Sequence, residues 1–319
     1  MEIKPLSADL LEPAAALFVA NYRRARAREP LLPARHADQG KVLALLADLA
    51  GREEGVAVLS NGRLLGYGIG LAIPDWHGWR SAIMPEWAHA TVRDGRAVIY
   101  GAIYARLSRH WAPDGRACHL VCMLADGALL DEWQWMGFGL QCVDAVRGPE
   151  PSAGSGGPCK VRRAVPRDAT IIADLMTRLH EHLSDAPVFL PAEPPVDPEE
   201  TKAALAHPQR AHFLAQVDGE AVGFLSIRGE NTDASWVVQD AGTAGIDGAY
   251  TLPAHRGSGV ATALLDEALR WAKATGYVRC AVDFESSNAQ ARRLWLRHFQ
   301  PVAYSVTRYV RHAGSEVAR

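Results

Sequence analysis

The sequence predicts an α/β protein of two tandem domains, each a mixed β-sheet flanked by helices. With 319 residues the chain has the length of about two domains, and 48% of its residues are apolar, enough for two ordinary cores. Residues 148–158 read Gly-Pro-Glu-Pro-Ser-Ala-Gly-Ser-Gly-Gly-Pro, a composition that cannot pack a core and is typical of a linker. We therefore predict domains at residues 1–147 and 159–319, joined by a linker over residues 148–158.

The two halves repeat one order of predicted elements. Each begins with a short strand, at residues 3–6 and 161–165, which leads through an acidic turn into a helix rich in alanine and leucine. Each then contains a hairpin, in which Asn61-Gly62 or Asp218-Gly219 separates two alternating apolar runs. These dipeptides are strong signals for a two-residue hairpin turn. The agreement between the halves indicates an internal repeat.

Composition and charge narrow the class of partner. The formal net charge is −2 and no basic stripe stands out, so nucleic acid is not an expected partner. No apolar run reaches the roughly 18 residues that a membrane helix needs, and the first residues do not resemble a secretory leader. The five cysteines form no disulfide or zinc pattern, and Cys118 and Cys122 lie in an apolar, strand-like run. We therefore expect reduced thiols, no metal, no membrane contact and a soluble cytoplasmic protein.

The segment Arg256–Ala261, which reads Arg-Gly-Ser-Gly-Val-Ala, predicts an anion site. An apolar run at residues 249–252 precedes it and predicts a strand. The apolar spacing over residues 260–275 predicts a long helix. The first backbone N–H groups of a helix have no intrahelical acceptor, and the helix dipole adds positive potential there. Gly257 and Gly259 leave room for a phosphate to approach the backbone, and Arg256 adds a positive charge.

Several nucleotide-binding folds use a glycine turn before a helix, and the spacing separates them. No Gly-Lys-Ser/Thr follows the glycines, so the segment is not a P-loop, and the G-x-G-x-x-G spacing of dinucleotide-binding folds fails. A tight turn with incidental glycines remains an alternative. The spacing Arg-x-x-Gly-x-Ala resembles the coenzyme A pyrophosphate loop of the Gcn5-related N-acetyltransferase (GNAT) family, (Q/R)-x-x-G-x-(G/A).

A second motif strengthens this resemblance. The family commonly shows N-x-x-A-x-x-x-Y-x-x-x-G-F on a short helix downstream of the loop. Here Asn288 and Ala291 match and Trp295 replaces the tyrosine. His298-Phe299 stands for the Gly-Phe pair one residue earlier than in the motif, so Phe299 is kept and His298 replaces the glycine. Residues 133–138, Trp-Gln-Trp-Met-Gly-Phe, end the first half in a similar way. The chain thus resembles a tandem GNAT protein over nearly all its length, with a plan similar to the mycothiol synthase subfamily.

The first half lacks the features of the pyrophosphate loop. Residues 93–100 occupy the equivalent place, but the R-x-x-G-x-G/A spacing is absent and Asp94 puts a negative charge near the expected phosphates. Asp126 stands where the second half has Asn288. A carboxylate beside a diphosphate costs affinity through like-charge repulsion. We therefore expect a degenerate first domain and a single acetyl-CoA site in the second.

The resemblance implies a set of residues that bind acetyl-CoA as cosubstrate. Backbone groups on the strand before the loop would pair with the pantetheine arm, amides of the loop would hold the diphosphate, and the short helix would reach the pantetheine or nucleotide end. The implied residues are Ala249, Tyr250, Thr251, Arg256, Gly257, Ser258, Gly259, Val260, Ala261, Thr262, Asn288 and Ala291, with Arg292 or Arg293.

The acid and base expected from the family are both displaced in this sequence. Gly245 stands where a catalytic glutamate is common, and Asp247 lies two residues on, on the same strand face and about 7 Å nearer the loop. Trp295 replaces the usual tyrosine acid and cannot protonate a thiolate. The remaining candidates for proton transfer are Asp247, Asp283, Glu285, Tyr250 and Tyr304. For the carboxylates, a salt bridge or helix cap is the competing interpretation, and a water chain without a dedicated base stays open.

The sequence indicates less about the acceptor substrate than about donor binding. The loop at residues 184–198 is expected to shape the acceptor pocket through Phe189 and Glu193, with Trp236 and Trp295 as further walls. An acidic, aromatic pocket suits a cationic amine, whereas His180 and His182 are expected on a helix surface.

Two functions are consistent with the sequence. The first is transfer of acetyl from acetyl-CoA to a primary amine of a small molecule or peptide by the second domain of a monomer or homodimer. The alternative is a non-catalytic acyl-CoA sensor or interaction module, and the departures at Gly245 and Trp295 also disfavour mycothiol synthase activity.

Overall fold

The structure, a computed structural model, describes residues 1–151, 159–229 and 234–311. Clustering of contacts divides the chain into two compact units. The first consists of Met1–Val143, Ser235–Val237 and Val302–Arg319, and the second of Asp144–Ala234 and Val238–Pro301. Each unit contains segments that are separated in the sequence, whereas the predicted domains at 1–147 and 159–319 are continuous. Most of the predicted linker, residues 152–158, lies outside the described residues.

The first unit contains two sets of strands covered by helices, with strand orders β1-β2-β3-β6 and β4-β5-β7-β14. The C-terminal strand β14 pairs antiparallel with β7, from Ala303 opposite Leu124 to Tyr309 opposite Cys118. Its elements are β1 (Glu2–Pro5), α1 (Leu11–Arg28), α2 (Gln39–Ala50), β2 (Gly55–Ser60), β3 (Arg63–Ile69), β4 (Leu71–Trp76), β5 (Trp79–Met84), β6 (His89–Thr91), α3 (Arg96–Trp111), β7 (Cys118–Leu124), α4 (Gly127–Trp135), the start of β8 (Gly139–Arg147) and most of β14 (Gln300–Tyr309).

Aromatic packing dominates the core of the first unit. Trp133 on α4 is fully buried, and its ring lies 5.2 Å from Tyr100 and 5.0 Å from Phe138 between centroids. Tyr104, one turn after Tyr100 on α3, packs edge-on against Phe138 at 5.0 Å. Helical spacing thus places two α3 rings on the face that covers the sheet.

The second unit has the strand order β9-β10-β11-β12-β13, and helices pack against it. β9 to β12 pair antiparallel, and β12 pairs parallel with β13. Its elements are β9 (Lys160–Arg163), α5 (Ala169–Ser184), α6 (Pro198–Ala206), β10 (Arg210–Val217), β11 (Glu220–Gly229), β12 (Thr243–Thr251), α7 (Val260–Thr275), β13 (Arg279–Glu285) and α8 (Ala289–His298).

Local chemistry fixed several elements as predicted. Asn61 and Gly62 have φ of 49° and 76°, and Asp218 and Gly219 have φ of 51° and 88°, the left-handed values of the predicted hairpin turns. α7 has the bounds that its apolar spacing predicts. The following strand, β13, begins at Arg279. Gly276 adopts φ of 94°, and the Tyr277 N–H donates to the Ala272 carbonyl at 3.0 Å, which terminates the helix first.

The expectation of reduced thiols agrees with the structure, in which all five cysteines are free. Cys118 and Cys122 are buried on β7, within one apolar cluster. Within the described ranges no helix combines the length and the apolar character needed to cross a bilayer.

Two tryptophans on α4 provide a test of the first unit's core. Trp133→Ala should lower the free energy of unfolding by about 3–5 kcal/mol, because it leaves a cavity among buried rings. Trp135, on the same helix, is 89% exposed, so Trp135→Ala should change stability by only about 0.5 kcal/mol or less. Urea unfolding followed by circular dichroism measures both, and equal losses in the two variants would contradict this account of the core.

Candidate active site

A β-bulge on β12 opens the sheet of the second unit. Ser226 on β11 is opposite Gly248, and the next residue, Ile227, is opposite Ile246, so Asp247 is the extra residue of the bulge. The parallel pairing of β12 with β13 runs from Thr243 to Ile246 on β12. Both strands continue beyond this register, β12 to Thr251 and β13 to Glu285. Residues 247–251 therefore form a strand segment paired on one side, with β11.

Backbone polar groups on this segment face away from β11. The Leu252 N–H donates to the Val222 carbonyl at 2.9 Å, and this register makes Tyr250 and Gly248 the next residues whose backbone bonds point toward β11. The alternate residues, Ala249 and Thr251, therefore direct their N–H and C=O groups to the β13 side. An extended amide chain placed there can add hydrogen bonds as a further strand.

The loop from Arg256 to Gly259 joins this segment to α7. Gly257 and Gly259 have φ of 76° and 95°, values that a side chain would strain. The Ala263 N–H is bonded to the Gly259 carbonyl at 3.0 Å, and no side chain caps the helix. The N–H groups of the first turn of α7 are thus presented to the cleft, as an anion site requires.

A cleft of about 550 Å³ connects these features. Leu179 and His182 of α5 form one wall, and Phe224 and Leu225 of β11 form another. From β12 to α7 it is lined by Ala249, Tyr250, Thr251, His255, Arg256, Gly257, Gly259, Val260, Ala261, Thr262 and Leu264, and from α8 by Asn288, Gln290, Ala291, Arg293, Leu294, Trp295 and Arg297. Among the described residues that line it are three arginines and two histidines, but no aspartate or glutamate. The cleft is suited to an anion.

Arg256 is held at the entrance by two contacts. Its Nε donates to the Thr251 carbonyl at 3.0 Å, and its guanidinium carbon lies 5.4 Å from the centroid of the Tyr250 ring. The hydrogen bond uses a backbone acceptor that faces the gap beside β12. The positive charge therefore lies between the strand segment and the glycine loop.

On α8, one side chain predicted to bind the cofactor, Asn288, caps the helix, and two of the three arginines line the cleft. Asn288 is 9% exposed, and its Oδ1 accepts from the Ala291 N–H at 3.1 Å. Arg293 and Arg297, four residues apart on one helix face, line the cleft. Arg292, which the sequence offered as an alternative to Arg293, is not among the lining residues, because one residue turns a side chain by about 100° around the helix.

The predicted carboxylates lie outside the residues that line the cleft. Asp247 is exposed, with its Oδ2 3.3 Å from the Arg228 Nε, so the salt bridge considered as the competing interpretation is present. Asp283 is exposed and Glu285 half-buried, both on the part of β13 beyond its pairing with β12. Of the five candidates for proton transfer, Tyr304 among them, only Tyr250 lines the cleft.

The predicted acceptor-pocket residues are dispersed. Trp295 is buried, lines the cleft and packs edge-on against Phe299 at 5.6 Å. Phe189 is 71% exposed, and the Glu193 carboxylate lies 3.2 Å from His180 Nδ1. Trp236 belongs to the first unit, where it packs against the apolar cluster of β5 and β7, and we leave it out of the candidate site.

His182 is the residue whose place sequence reasoning missed. It was expected on a solvated helix surface, yet it is half-buried, lines the cleft and lies 6.3 Å from the Tyr250 ring between centroids. Burial lowers its pKa, Arg256 lowers it further by repulsion, and Asp185 opposes the shift. Its position two residues after His180 gave no signal, because only the packing of α5 on β12 shows which of the two faces inward.

The corresponding place in the first unit carries an ion pair. The α3 helix starts after Gly95, and the Arg96 Nη1 donates to Asp126 Oδ2 at 2.9 Å. Asp126 also accepts from the Ala128 and Leu129 N–H groups, so it caps α4. Burial acts to raise the pKa of Asp126, but hydrogen bonds and the charge of Arg96 outweigh it and hold the pKa below its usual value. Asp126 is therefore a helix cap whose negative charge is paired with Arg96 at the start of α3.

Together, a strand segment paired on one side, a glycine loop at a helix start and a cationic cleft form a site that suits an extended, anionic ligand. The family model for the acetyltransferase (GNAT) family matches residues 176–299. An aminoglycoside N(6')-acetyltransferase type 1 of Acinetobacter haemolyticus is 33% identical over 112 residues, 33% of this chain and 75% of that protein. The chain belongs to the GNAT family and is an N-acetyltransferase of that family.

Two solved structures match nearly the whole chain in fold. A Gcn5-related N-acetyltransferase from Sphaerobacter thermophilus aligns with a TM-score of 0.56 at 17% identity, over 98% of this chain and 96% of that one. A glucosamine N-acetyltransferase region of a fungal multi-domain GH3 β-N-acetylglucosaminidase aligns with a TM-score of 0.52 at 12% identity, over 96% of this chain and 38% of that one. Because each match extends over both halves, the prediction of two GNAT-like α/β domains is confirmed.

The three arginines of α8 provide a test of the cleft's electrostatics. The double variant Arg293→Ala/Arg297→Ala should raise the Kd for acetyl-CoA by roughly 10-fold, about 1.4 kcal/mol, because it removes two positive charges from an anion site. The loss should shrink at high salt, since exposed charges are screened. Arg292→Ala is the matched control and should bind normally. Calorimetric titration at two salt concentrations measures this, and equal loss in the control would contradict it.

Proposed function

We propose that the second unit transfers the acetyl group of acetyl-CoA to a primary amine of a small molecule. The observation that carries the proposal is the open anion site at the start of α7, joined to a strand segment with free backbone groups. Enzymes of the GNAT family use acetyl-CoA, and the chemistry needs alignment of two reactants, a deprotonated amine and donors for the oxyanion. In this proposal the protein supplies each of these, and the reaction uses no metal and no covalent intermediate.

The cleft fits the donor residue by residue. Backbone groups of Ala249 and Thr251 would pair with the amides of the pantetheine arm, and one N–H would face the thioester oxygen. The α7 amides would hold the diphosphate. Arg256 would move from the Thr251 carbonyl toward the phosphates, and Arg293 and Arg297 would face the nucleotide end. No step of this assignment needs a residue of the first unit.

The acceptor is proposed to be a cationic small-molecule amine. The related protein from Acinetobacter haemolyticus is named for acetylation of an aminoglycoside, which carries several amines. In this chain the segment from α5 to α6 contains Asp185, Glu193 and Asp197, whose charges suit an ammonium group. A peptide amine is the second acceptor class that the acceptor panel below must include.

Acetyl-CoA should bind once per chain, through the glycine loop. Gly259→Glu should weaken binding by about 100-fold or more, roughly 2.7 kcal/mol, because it adds a charge at the diphosphate site and a side chain at φ of 95°. Gly101→Glu, on α3 of the first unit and with open space around its α-carbon, is the matched control. Isothermal calorimetry gives stoichiometry and Kd. Two equivalent sites, or a site that survives Gly259→Glu, would contradict the proposal.

Turnover should separate the enzyme from a sensor. With acetyl-CoA and a panel of kanamycin, spermidine, tyramine and a short peptide with a free N-terminus, we expect CoA release with at least one small amine. A thiol reagent reports released CoA, and mass spectrometry reports the N-acetyl product. Tight binding of acetyl-CoA without CoA release for any amine would favour the non-catalytic acyl-CoA sensor instead.

A further inference from the structure

The titratable side chains that line the cleft offer few acceptors for a proton. Among the described lining residues the arginines are permanently charged, and there is no carboxylate. The two histidines occupy different places. His255 lies in the turn before the glycine loop, and its carbonyl accepts from the Ser258 hydroxyl at 2.7 Å. His182 lies in the last turn of α5, opposite β12.

The position of His182 is fixed by its neighbours. Its ring is 6.3 Å from that of Tyr250, the residue between the two whose backbone groups face the gap beside β12. Leu179, three residues earlier on α5, lines the same wall of the cleft. The imidazole therefore stands beside the strand segment where the donor's acyl arm would lie, on the side from which α5 and its following loop would admit an acceptor.

The charges around His182 favour its neutral form. Burial lowers its pKa, and repulsion by Arg256 lowers it further, whereas Asp185 at the C-terminal end of α5 acts in the opposite direction. Tyr250 faces it from β12, and the neighbouring cleft residue on β11, Phe224, carries no charge. A base is useful only in its deprotonated form, so these neighbours keep the imidazole competent at neutral pH.

We propose that the His182 imidazole is the general base that takes the proton from the acceptor ammonium. The inference deepens the proposed acetyl transfer and rests on it. Asp247, the leading carboxylate candidate, forms an ion pair with Arg228 at 3.3 Å and lies outside the lining of the cleft, as Asp283 and Glu285 do. His182 is thus the lining side chain on the acceptor side that both reaches the cleft and accepts a proton.

The transfer then balances as follows. The ammonium gives a proton to His182, and the free amine attacks the thioester carbon, forming a C–N bond and a tetrahedral oxyanion. The oxyanion collapses and the C–S bond breaks. The imidazolium returns its proton to the departing CoA thiolate, directly or through water. The neutral imidazole then takes the excess proton from the acetylated nitrogen and passes it to solvent. The products are the acetamide, CoA thiol and one proton.

The test measures kcat/KM against pH for the full chain and for His182→Gln, with the amine that the wild type acetylates best. In the wild type, kcat/KM should fall as pH drops through a pKa below 6.5, because protonation removes the base. His182→Gln should lower kcat/KM by about 10²–10⁴ at neutral pH. The inflection at the histidine pKa should vanish from the profile of the variant, and its rate should instead rise steadily with pH. Its affinity for acetyl-CoA should stay unchanged. His207→Gln, at the end of α6, is the control and should behave as wild type.

A second variant distinguishes a base from a positioning residue. Added imidazole should restore activity to His182→Ala in proportion to the neutral fraction of the imidazole. If His182 had only a structural role, added imidazole would not restore activity. A His182→Gln enzyme with a normal rate and pH profile would overturn the inference, as would transfer of the same signature to Asp247→Asn. Absence of CoA release in the wild type itself would instead overturn the proposed function.

Discussion

The parallel pairing of β12 with β13 reaches only Ile246, and the chemistry proposed for the second unit depends on that short register. A sheet normally satisfies every backbone group of an inner strand, and residues 249–251 would then be buried in a ladder with nothing to offer a ligand. The bulge at Asp247 ends the regular register on β12 while the β11 side remains paired. The strand is therefore held in position on one edge and free on the other, and it leads directly into the glycine loop that supplies the anion site.

The two halves of the chain show how one charge changes the same local structure. Asn288 and Asp126 each cap the helix that follows, through a side-chain oxygen that accepts from backbone N–H groups. The amide has no charge, whereas the carboxylate holds Arg96 at 2.9 Å and anchors it at the start of α3. The helix cap is thus kept in both halves, and the two capping side chains differ in charge.

Features set by neighbouring residues in sequence were predictable, and features set by tertiary pairing were not. The two hairpin turns, the bounds of α7 and the glycine loop follow from turn chemistry and apolar spacing within about 16 residues. In contrast, β14 pairs with β7 of the first half, and Trp236 packs in the first unit, because hydrogen bonding and burial are satisfied there rather than near in sequence. For the same reason His182, expected at the surface, lines the cleft, and Asp247, expected in the cleft, is exposed. Nothing in the sequence near Asp247 indicated its ion pair with Arg228.

Arg256 connects donor binding to the state of the proposed base. In the structure it contacts Thr251 and Tyr250, and its charge lowers the pKa of His182. A neutral imidazole in a cationic cleft does not repel the arginines. An imidazolium beside an ammonium group would repel them. In the proposed assignment, a diphosphate bound at the loop would offset the charge of Arg256, so the repulsion at His182 would weaken and its pKa would rise. The base would therefore be stronger with the thioester in place than without it. One arginine at the junction of strand and loop would thus couple the arrival of the donor to removal of the acceptor's proton.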